Sequence, residues 1–463
     1  MCCKAKEKIV HYSSVKIDFS IALKYEQEYF CALIAKMTLL EELKERGLLQ
    51  DHTPGIEEIL AKEQVKGYIG YDPTAPSLTI GNLVTIMMLV HLQRHGHIPV
   101  VLFGGATGRV GDPSGKDAER KMLDIETIER NLEHQKKQFE HILRFDQGDN
   151  KAIMVNNYDW FKDISFLDFL REAGKHLTVN YMMSKESVKR RIETGISFTE
   201  FSYQLLQGYD YYHLYQTEGI KLQMGGSDQW GNITTGTEFI RRKAGGEAFA
   251  ITCPLLTKSD GTKYGKSEGQ NIWLDPKMTY PYKFYQFFMN KLKDEDLPKV
   301  LKIFSVRPLE EIREIISDCA DNPLQLRKTL AEEVTLFVHG EEGLAKAQEL
   351  SGILFSKGKG AEEILAGMTL EEIQEVFEGE KTVYNLDKQL FENGIDVLDL
   401  LASATPVCSS KSEARRSIKG NAISINKQKI TNPEAIIDKS SVINDQFILL
   451  QNGKRNHHLI IVE

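Results

Sequence analysis

Residues 65–103 read VKGYIGYDPTAPSLTIGNLVTIMMLVHLQRHGHIPVVLF, and this stretch carries the pattern that predicts the fold. Val65 to Tyr71 is strand-like, Leu83 to His95 is helical, and Ile98 to Phe103 is an apolar run stopped by two glycines. The order strand, helix, strand is typical of a βαβ unit, whose two strands lie parallel in one sheet. The sequence therefore predicts an α/β protein with a Rossmann-like parallel sheet.

The composition is that of a folded, water-exposed chain of several domains. Of 463 residues, 41% are hydrophobic and 27% are charged, which argues against wholesale disorder and against a fibrous repeat. The longest apolar runs fall well short of the roughly 18 residues of a membrane helix, so we expect no membrane span. The six cysteines form neither a CxxC pair nor a zinc spacing, a usage that predicts the reducing cytoplasm.

Charge is distributed unevenly along the chain. The formal net charge is −8, yet residues 411–463 contain nine Lys or Arg against five Asp or Glu. Within this tail, Ser409 to Gly420 has the pattern of a capped basic helix followed by a glycine turn, and Ile423 and Ile425 alternate as in a strand. A small basic module on an acidic body indicates that the end of the chain contacts nucleic acid, although a solvated charged helix has the same pattern.

Three further segments carry side chains suited to a nucleotide. Residues 68–82 lie where the first strand turns into a helix, residues 225–232 set polar groups among glycines after a later strand, and residues 263–267 carry two lysines in a loop. Each could instead be an ordinary turn or surface loop. Neither Gly261 to Ser267 nor Gly111 to Lys116 has the glycine spacing of a P-loop, which disfavours a P-loop NTPase.

Two histidines are spaced for one helix face, His91 and His95. They lack the glutamate of a HExxH motif and a third ligand. We therefore interpret them as helix-surface histidines and predict no protein-bound metal.

Taken together, residues 68–73, 104–115, 197–210, 223–232 and 263–267 resemble the bacterial tyrosyl-tRNA synthetases, a family of class I aminoacyl-tRNA synthetases. The resemblance extends from about residue 37 to 463. The HIGH motif of the family matches Thr79-Ile80-Gly81-Asn82, in which both histidines are absent. The KMSKS loop matches Lys263-Tyr-Gly-Lys-Ser267, with both lysines retained.

The resemblance implies a tyrosine–tRNA ligase, in which the tyrosine carboxylate attacks the α-phosphate of ATP and the activated tyrosine is then transferred to the terminal ribose of tRNA(Tyr). It implies ATP as substrate, Mg²⁺ with the ATP phosphates, and a homodimer. As in other phosphoryl transfers, positioning and charge stabilisation would drive the chemistry.

The implied site residues fall into four groups. The catalytic group is Lys263, Lys266, Thr79, Asn82, Lys116 and Arg120. Tyrosine would be bound by Tyr68 and Asp210 at the phenol, by Asp112, Tyr203 and Gln207 at the ammonium, and by Gln229 near the carboxylate. The ATP surroundings would be Gly70, Asp72, Thr74, Gly81, Thr85, Gly226, Asp228 and Lys266. RNA would contact Lys411, Arg415, Arg416 and Lys419. Since Tyr203, Gln207 and Asp210 are spaced i, i+4, i+7, one helix face can present all three to a single ligand.

The same resemblance implies a division of the chain. We expect an N-terminal extension of unknown role (1–36), with Met37 as a hypothetical start. A Rossmann-like catalytic domain (37–255) follows, with a helical insertion at about 151–220. Then come the KMSKS-type loop (256–280), a helical anticodon-side domain (281–355), a linker (356–384) and an alpha-L-like RNA-binding domain (385–463).

Three alternatives remain open from the residues. A tryptophan-specific synthetase is disfavoured, since Tyr68 and Asp210 supply groups for a phenol. A non-catalytic RNA-binding paralogue is suggested by Thr79 and Asn82 but disfavoured by the two loop lysines. A metabolic nucleotidyltransferase would not need the basic tail.

Overall fold

The computed structural model describes residues 37–114, 122–257, 266–267, 270–355, 367, 369–377, 382–453 and 456–463. The expected N-terminal extension, residues 1–36, therefore lies outside the described residues. Among the residues that are described, no helix combines the length and the apolar character needed to cross a membrane.

The helices and strands of the described residues are numbered in chain order. The helices are α1 (Leu39–Arg46), α2 (Ile56–Lys62), α3 (Ile80–Arg94), α4 (Ile125–Glu140), α5 (Tyr158–Phe161), α6 (Phe166–Phe169), α7 (Val179–Met183), α8 (Glu186–Thr194), α9 (Phe198–Glu218), α10 (Trp230–Ala244), α11 (Pro281–Asn290), α12 (Leu297–Phe304), α13 (Leu309–Asp318), α14 (Pro323–Phe355), α15 (Leu370–Phe377), α16 (Lys388–Glu392), α17 (Val397–Asp399) and α18 (Lys411–Lys419). The strands are β1 (Asp51–His52), β2 (Lys66–Tyr71), β3 (Ile98–Phe103), β4 (Ile153–Asn156), β5 (Leu222–Gly226), β6 (Phe249–Cys253), β7 (Lys266–Ser267), β8 (Gln270–Asn271), β9 (Val383–Leu386), β10 (Ile395–Asp396), β11 (Ile423–Ile425), β12 (Gln428–Lys429), β13 (Ile436–Ile437), β14 (Phe447–Asn452) and β15 (Asn456–Val462).

The chain divides into two compact units. The first contains the described residues of 1–72, 85–122 and 145–254, and the second contains those of 73–84, 123–144 and 255–463. Two short pieces of the predicted catalytic domain, residues 73–84 and 123–144, thus group with the second unit.

The first unit is built on a six-stranded sheet with the order β1-β6-β5-β2-β3-β4. Strands β2, β3, β4, β5 and β6 are parallel to their neighbours, and only the short edge strand β1 runs antiparallel to β6. The predicted βαβ unit of β2, α3 and β3 is confirmed. Since β2 is flanked by β3 on one side and β5 on the other, the chain reverses its winding direction between β2 and β5, and ligands of open α/β sheets bind at such a point.

The helical insertion predicted at about 151–220 does not begin as a helix. Residues 153–156 form β4, the edge strand next to β3. Four residues are too few to show a strand period, so the helical pattern that follows obscured this strand. The helical part of the insertion begins at Tyr158.

Helix α9 is the longest element of the insertion, and its ends are well defined. The Ser197 side chain accepts from the backbone N–H of Glu200, and Gly219 ends the helix in the left-handed conformation (φ 67°). One face of α9 is buried, with Tyr211 and Leu214 packed beside Tyr68 and Leu102 of the sheet. This packing aligns the polar residues of the same helix with the strand ends.

In the second unit, helices α11 to α14 confirm the predicted helical region 281–355. Helix α14 is kinked at Gly340, whose φ of 70° and ψ of −174° interrupt the helical path. Aromatic side chains of α11 fill the core, where Phe284 and Phe288 are both fully buried.

The C-terminal part of the second unit contains a five-stranded sheet with the order β12-β11-β14-β15-β9. Strand β9 pairs parallel to β15, so residues 383–384, predicted as linker, belong to this sheet and the boundary drawn at 385 is too late. Helix α15 also falls within the predicted linker of 356–384. Its residues Ile373 and Phe377 pack against Phe447 and Leu449 of the sheet. The linker prediction fails because these partners are distant in sequence.

Candidate active site

Polar side chains converge in the first unit at the carboxyl ends of β2, β3 and β5. Asp72 follows β2, residues 104–112 follow β3, and Asp228 and Gln229 follow β5 in a short 3₁₀ turn. Helix α9 adds Tyr203, Gln207 and Asp210, three of the predicted tyrosine ligands. The geometry thus brings predicted residues from several sequence segments to the switch point of the sheet.

The Asp72 carboxylate forms the first node of this site. Its Oδ1 accepts from the Thr107 hydroxyl at 2.6 Å, and its Oδ2 accepts from the Tyr203 hydroxyl at 2.9 Å. Burial, reinforced by the Asp72 carboxylate, raises the pKa of Tyr203 well above its ordinary value. Asp72 was predicted among the ATP surroundings, and its contacts here are with the predicted ammonium ligand Tyr203.

Gly104 makes room for this node. A Cβ on Gly104 would lie 2.0 Å from Asp72 Oδ1 and 2.4 Å from Thr107 Oγ1, distances that no side chain can occupy without displacing the carboxylate. The glycine after β3 is therefore required by the packing of the site.

Asp210 forms a second, fully buried node. Its Oδ2 accepts from Asn157 Nδ2 at 3.0 Å and its Oδ1 accepts from Trp160 Nε1 at 2.9 Å. Burial raises the pKa of Asp210 to about 8, against the two hydrogen bonds, which lower it. At neutral pH, therefore, a substantial share of Asp210 carries a proton.

Tyr68 lies beside Asp210 and completes the buried end of the site. Its hydroxyl is buried and has no hydrogen-bond partner among the described residues. Burial raises the pKa of Tyr68, and the Asp210 carboxylate adds to this effect. A buried hydroxyl without a partner is rare in folded proteins and is explained by a ligand that supplies the missing bond.

Asp112 forms the third node, nearer the Gly225 to Asn232 segment. Gln229 Nε2 donates to Asp112 Oδ2 at 2.7 Å, and the Ser114 backbone N–H donates to Asp112 Oδ1 at 2.9 Å. Asn232 Nδ2 donates to Ser114 Oγ at 3.2 Å and lies 3.3 Å from Gln229 Oε1. Gln207 is half-buried on the same face of α9 as Tyr203.

Several members of these nodes were not predicted from the sequence. They are Thr107, Asn157, Trp160, Ser114 and Asn232. The signal that could have identified Asn157 is its position directly after a parallel strand, but β4 itself was missed.

The remaining predicted nucleotide residues of the first unit line the strand ends without forming a node. Gly70 is the exposed residue of β2, and Gly226 ends β5. Thr85 Oγ1 lies 3.2 Å from the Tyr71 hydroxyl, and Asp228 is exposed.

The Thr79 to Asn82 motif belongs to the second unit and opens helix α3. The backbone N–H and the hydroxyl of Thr79 both donate to Asn82 Oδ1, at 2.9 and 2.8 Å. A Cβ on Gly81 would meet only Thr79 Oγ1, at an ordinary 3.5 Å, so the packing of the protein itself does not demand this glycine. Thr74 lies in the preceding loop.

This motif is hydrogen-bonded to the segment that follows the predicted KMSKS-type loop. The Ile80 N–H donates to Ile272 O at 3.0 Å, and the Leu274 N–H donates to Leu78 O at 2.8 Å. The loop preceding α3 is also held by α4, where Asn131 Nδ2 donates to Pro73 O at 3.0 Å. The two motifs named by the resemblance are therefore linked through backbone bonds.

The predicted catalytic cations fall mostly outside the described residues. This is true of Lys116, Arg120 and Lys263, whereas Lys266 is described only as part of the short strand β7. Their roles stay predictions.

His91 and His95 are not the surface histidines that the sequence predicted. His91 is fully buried, and His95 Nε2 lies 2.6 Å from Glu42 Oε2. Glu42 also accepts from Arg46 Nε at 2.7 Å, so the two histidines fasten α3 to α1 through a buried carboxylate. In the described part of the chain no group of three His, Cys, Asp or Glu side chains is arranged to hold a metal.

The predicted RNA-binding residues lie on α18. Ala414 and Ile418 face the core, whereas Lys411, Arg415, Arg416 and Lys419 are exposed. Lys411 Nζ pairs with Asp399 at 2.5 Å. The helix thus presents cations on one side and apolar packing on the other.

Comparison with known proteins agrees with this geometry. A family model described as tRNA synthetases class I (W and Y) matches residues 60–356, and one described as Tyrosine--tRNA ligase SYY-like C-terminal domain matches residues 372–460. The chain is 54% identical to a tyrosine–tRNA ligase of Cytophaga hutchinsonii over 425 residues, which cover 91% of this chain and 98% of that protein. It is 52% identical to the tyrosine–tRNA ligase of Porphyromonas gingivalis, over 92% of this chain and all of that protein.

Among solved structures, the chain resembles a C-terminally truncated mitochondrial tyrosyl-tRNA synthetase of Aspergillus nidulans. The TM-score is 0.63 at 27% identity, and the match covers 73% of this chain and 100% of that one. The corresponding truncated protein of Coccidioides posadasii gives a TM-score of 0.60 at 28% identity, over 71% of this chain and 96% of that one.

Proposed function

The chain belongs to the tyrosine–tRNA ligases of the class I tRNA synthetases, and we propose that it activates L-tyrosine with ATP and then transfers the tyrosine to tRNA(Tyr). Within the site, the observation that carries this proposal is the buried, unpartnered Tyr68 hydroxyl beside Asp210. A phenol placed between these two groups would supply the missing hydrogen bond.

Recognition of tyrosine over phenylalanine follows from the same arrangement. A phenylalanine would leave the Tyr68 hydroxyl unpaired and would offer no bond to Asp210, a loss that gives strong discrimination. Tyrosyl-tRNA synthetases are themselves a standard example of such discrimination, and the structure supplies its logic rather than its size. At the other end, Tyr203, Gln207 and Asp112 are proposed to hold the ammonium group, and Gln229 lies next to Asp112.

The chemistry is proposed to rest on positioning and charge. The nucleotide would approach the ends of β2 and β5, near Gly70, Gly226 and Asp228, and the family resemblance adds Thr74, Thr85 and Gly81. Lys263, Lys266, Lys116 and Arg120 would stabilise the leaving pyrophosphate, with Thr79 and Asn82 at the start of α3. We propose that Mg²⁺ enters with the ATP phosphates, since this ion usually keeps few protein ligands.

The C-terminal part is proposed to bind tRNA through Arg415, Arg416, Lys419 and Lys411, and helices α11 to α14 are proposed to face the anticodon side. Exposed cations on α18 support phosphate contacts. Assignment of this region to the alpha-L type remains a prediction.

We propose a homodimer whose interface lies on the insertion. Seven of the fourteen large apolar residues that are exposed in the described part of the chain fall within residues 166–198, among them Phe166, Leu167 and Phe198, at 64%, 71% and 70% exposure. Such a concentration is typical of a protein interface. The variant Phe166→Ser/Leu167→Ser should convert a dimer to a monomer in sedimentation equilibrium; an unchanged mass would refute this interface.

A cytoplasmic location is proposed as well, since the described cysteines, Cys253, Cys319 and Cys408, are buried free thiols.

Amino-acid-dependent exchange of labelled pyrophosphate into ATP tests the activity directly. Exchange with tyrosine, and not with phenylalanine or tryptophan, is the expected result. Absence of exchange with all three amino acids, in folded protein supplied with Mg²⁺, would instead favour the non-catalytic RNA-binding paralogue.

A further inference from the structure

The insertion contains a buried ion pair that the reaction described above does not use. Arg191 of α8 donates from Nε to Glu200 Oε1 at 3.0 Å and from a terminal guanidinium nitrogen to Glu200 Oε2 at 2.9 Å. The residues are only 5% and 3% exposed. This is the bidentate geometry in which an Arg–carboxylate pair has the strongest directional preference.

Stability alone is a weak explanation for such a pair. Removing two charges from water opposes folding, and a buried ion pair can often be replaced by apolar residues of similar volume without loss of stability. What the pair does provide is a defined geometry between two elements, because both hydrogen bonds must be satisfied at once. The two elements here are α8 and the first turn of α9.

The position of Glu200 on α9 connects this geometry with the site. Glu200, Tyr203, Gln207 and Asp210 occupy an arc of about 80° on one helix face. The Ser197 side chain accepts from the Glu200 backbone N–H at 3.1 Å, so the cap holds the backbone while the Glu200 carboxylate turns to Arg191. One turn later, Tyr203 donates to Asp72 at 2.9 Å.

We infer that Arg191 and Glu200 are positioning residues for the ammonium end of the substrate. The pair fixes the rotation and height of the first turns of α9 against α8, and thereby the placement of the Tyr203 hydroxyl against Asp72. This inference rests on the proposed function, which assigns Tyr203 to the substrate ammonium group.

Two variants separate positioning from stability. Arg191→Met/Glu200→Leu replaces the pair by apolar side chains of similar size, and Glu200→Gln keeps the shape but removes the negative charge. Glu238→Gln is the matched control, since Glu238 forms a bidentate but more exposed pair with Arg241, at 2.7 and 2.9 Å.

The assay compares two ligands by equilibrium dialysis on the full chain. L-Tyrosine carries the ammonium group, and 3-(4-hydroxyphenyl)propionate lacks it but keeps the phenol and the carboxylate. In the double variant we expect the wild-type melting temperature, binding of tyrosine weakened about tenfold, as for loss of a hydrogen bond to a charged group, and unchanged binding of the analogue. Glu238→Gln should leave both affinities unchanged.

An equal loss for both ligands, or no loss for either, would overturn the inference. If the double variant fails to fold, the ratio of the two affinities in Glu200→Gln decides by the same criterion. Failure of the proposed function is distinguishable, because the wild-type protein would then show no tyrosine-dependent pyrophosphate exchange.

Discussion

Replacing Gly104 by alanine is expected to impair tyrosine activation through one identifiable clash. The backbone of Gly104 is not in the left-handed region, so an alanine can adopt it without strain. Its Cβ, however, would lie 2.0 Å from Asp72 Oδ1 and 2.4 Å from Thr107 Oγ1, whereas real Cβ contacts are essentially never shorter than 3.0 Å. The Asp72 carboxylate must therefore move by about 1 Å or rotate away.

That movement breaks at least one of the two hydrogen bonds to Asp72, which are 2.6 Å from Thr107 and 2.9 Å from Tyr203. A hydrogen bond to a charged group contributes about 1.5–3 kcal/mol. If this free energy is lost in the transition state, kcat/KM for tyrosine should fall roughly 10- to 150-fold, since each 1.4 kcal/mol corresponds to a factor of about ten.

The assay is tyrosine-dependent pyrophosphate exchange, with the KM for ATP measured in parallel. Gly352→Ala is the matched control, because a Cβ there meets nothing within 4 Å and the backbone is again outside the left-handed region. That control should retain full activity and gain slightly in stability, by up to about 1 kcal/mol. A Gly104→Ala enzyme with unchanged kcat/KM for tyrosine would refute the role given to Asp72 and its neighbours.

Three further changes give separate tests. Burial raises the pKa of Asp210 from 3.8 to about 8, so the folded state binds more protons than the unfolded state and stability should fall as the pH rises through this range; Asp210→Asn should abolish that part of the pH dependence of chemical unfolding. Replacing Arg415, Arg416 and Lys419 together by Gln should weaken tRNA charging and reduce its salt dependence by about one unit of slope per lost phosphate contact, while pyrophosphate exchange stays unchanged. Glu42→Gln should destabilise the protein by about 3–5 kcal/mol at pH 7, since Glu42 anchors a buried cation cluster, and the loss should shrink in acid because, against the effect of burial, its neighbours keep the pKa of Glu42 low; equal loss at all pH values would contradict this.

The parts of the fold that could be predicted are those with a strong local period. Strands β2 and β3 are apolar runs bounded by glycines, and α3 between them is long enough to show a helical pattern, so the βαβ unit could be identified from 39 consecutive residues. The face shared by Tyr203, Gln207 and Asp210 follows from helix geometry alone.

The parts that could not be predicted depend on contacts between distant segments. Strand β4 has four residues, and β9 becomes a strand only by pairing with β15 at the far end of the chain. For the same reason Asn157 and Trp160 were missed, because they reach Asp210 from 53 and 50 residues away. The prediction for His91 and His95 was wrong because their partner Glu42 lies on a separate helix.

Contacts at the basic tail show a subtler limit. The sequence predicted a glycine turn at the end of α18, and Gly420 does follow the helix. Yet Gly420 has an ordinary φ of −79°, and the left-handed residue is Asn421, with φ 54°. Asparagine is among the few residues that tolerate this conformation, so the turn chemistry was available from the sequence but was assigned one position too early.

The two ends of the tyrosine site are joined by a continuous chain of hydrogen bonds. Thr107 donates to Asp72 and accepts from Asn157 Nδ2 at 3.0 Å, and Asn157 also donates to Asp210 at 3.0 Å. Polar networks of this kind in a low-dielectric interior polarise one another, so their members do not contribute independently. A change at the ammonium end should therefore alter phenol recognition as well: Thr107→Val and Asn157→Ala should be non-additive in a double-mutant cycle on the discrimination between tyrosine and phenylalanine, with a coupling of about 0.5–3 kcal/mol. Strict additivity would mean that the two carboxylates act separately and that the hydrogen-bonded chain between them transmits nothing.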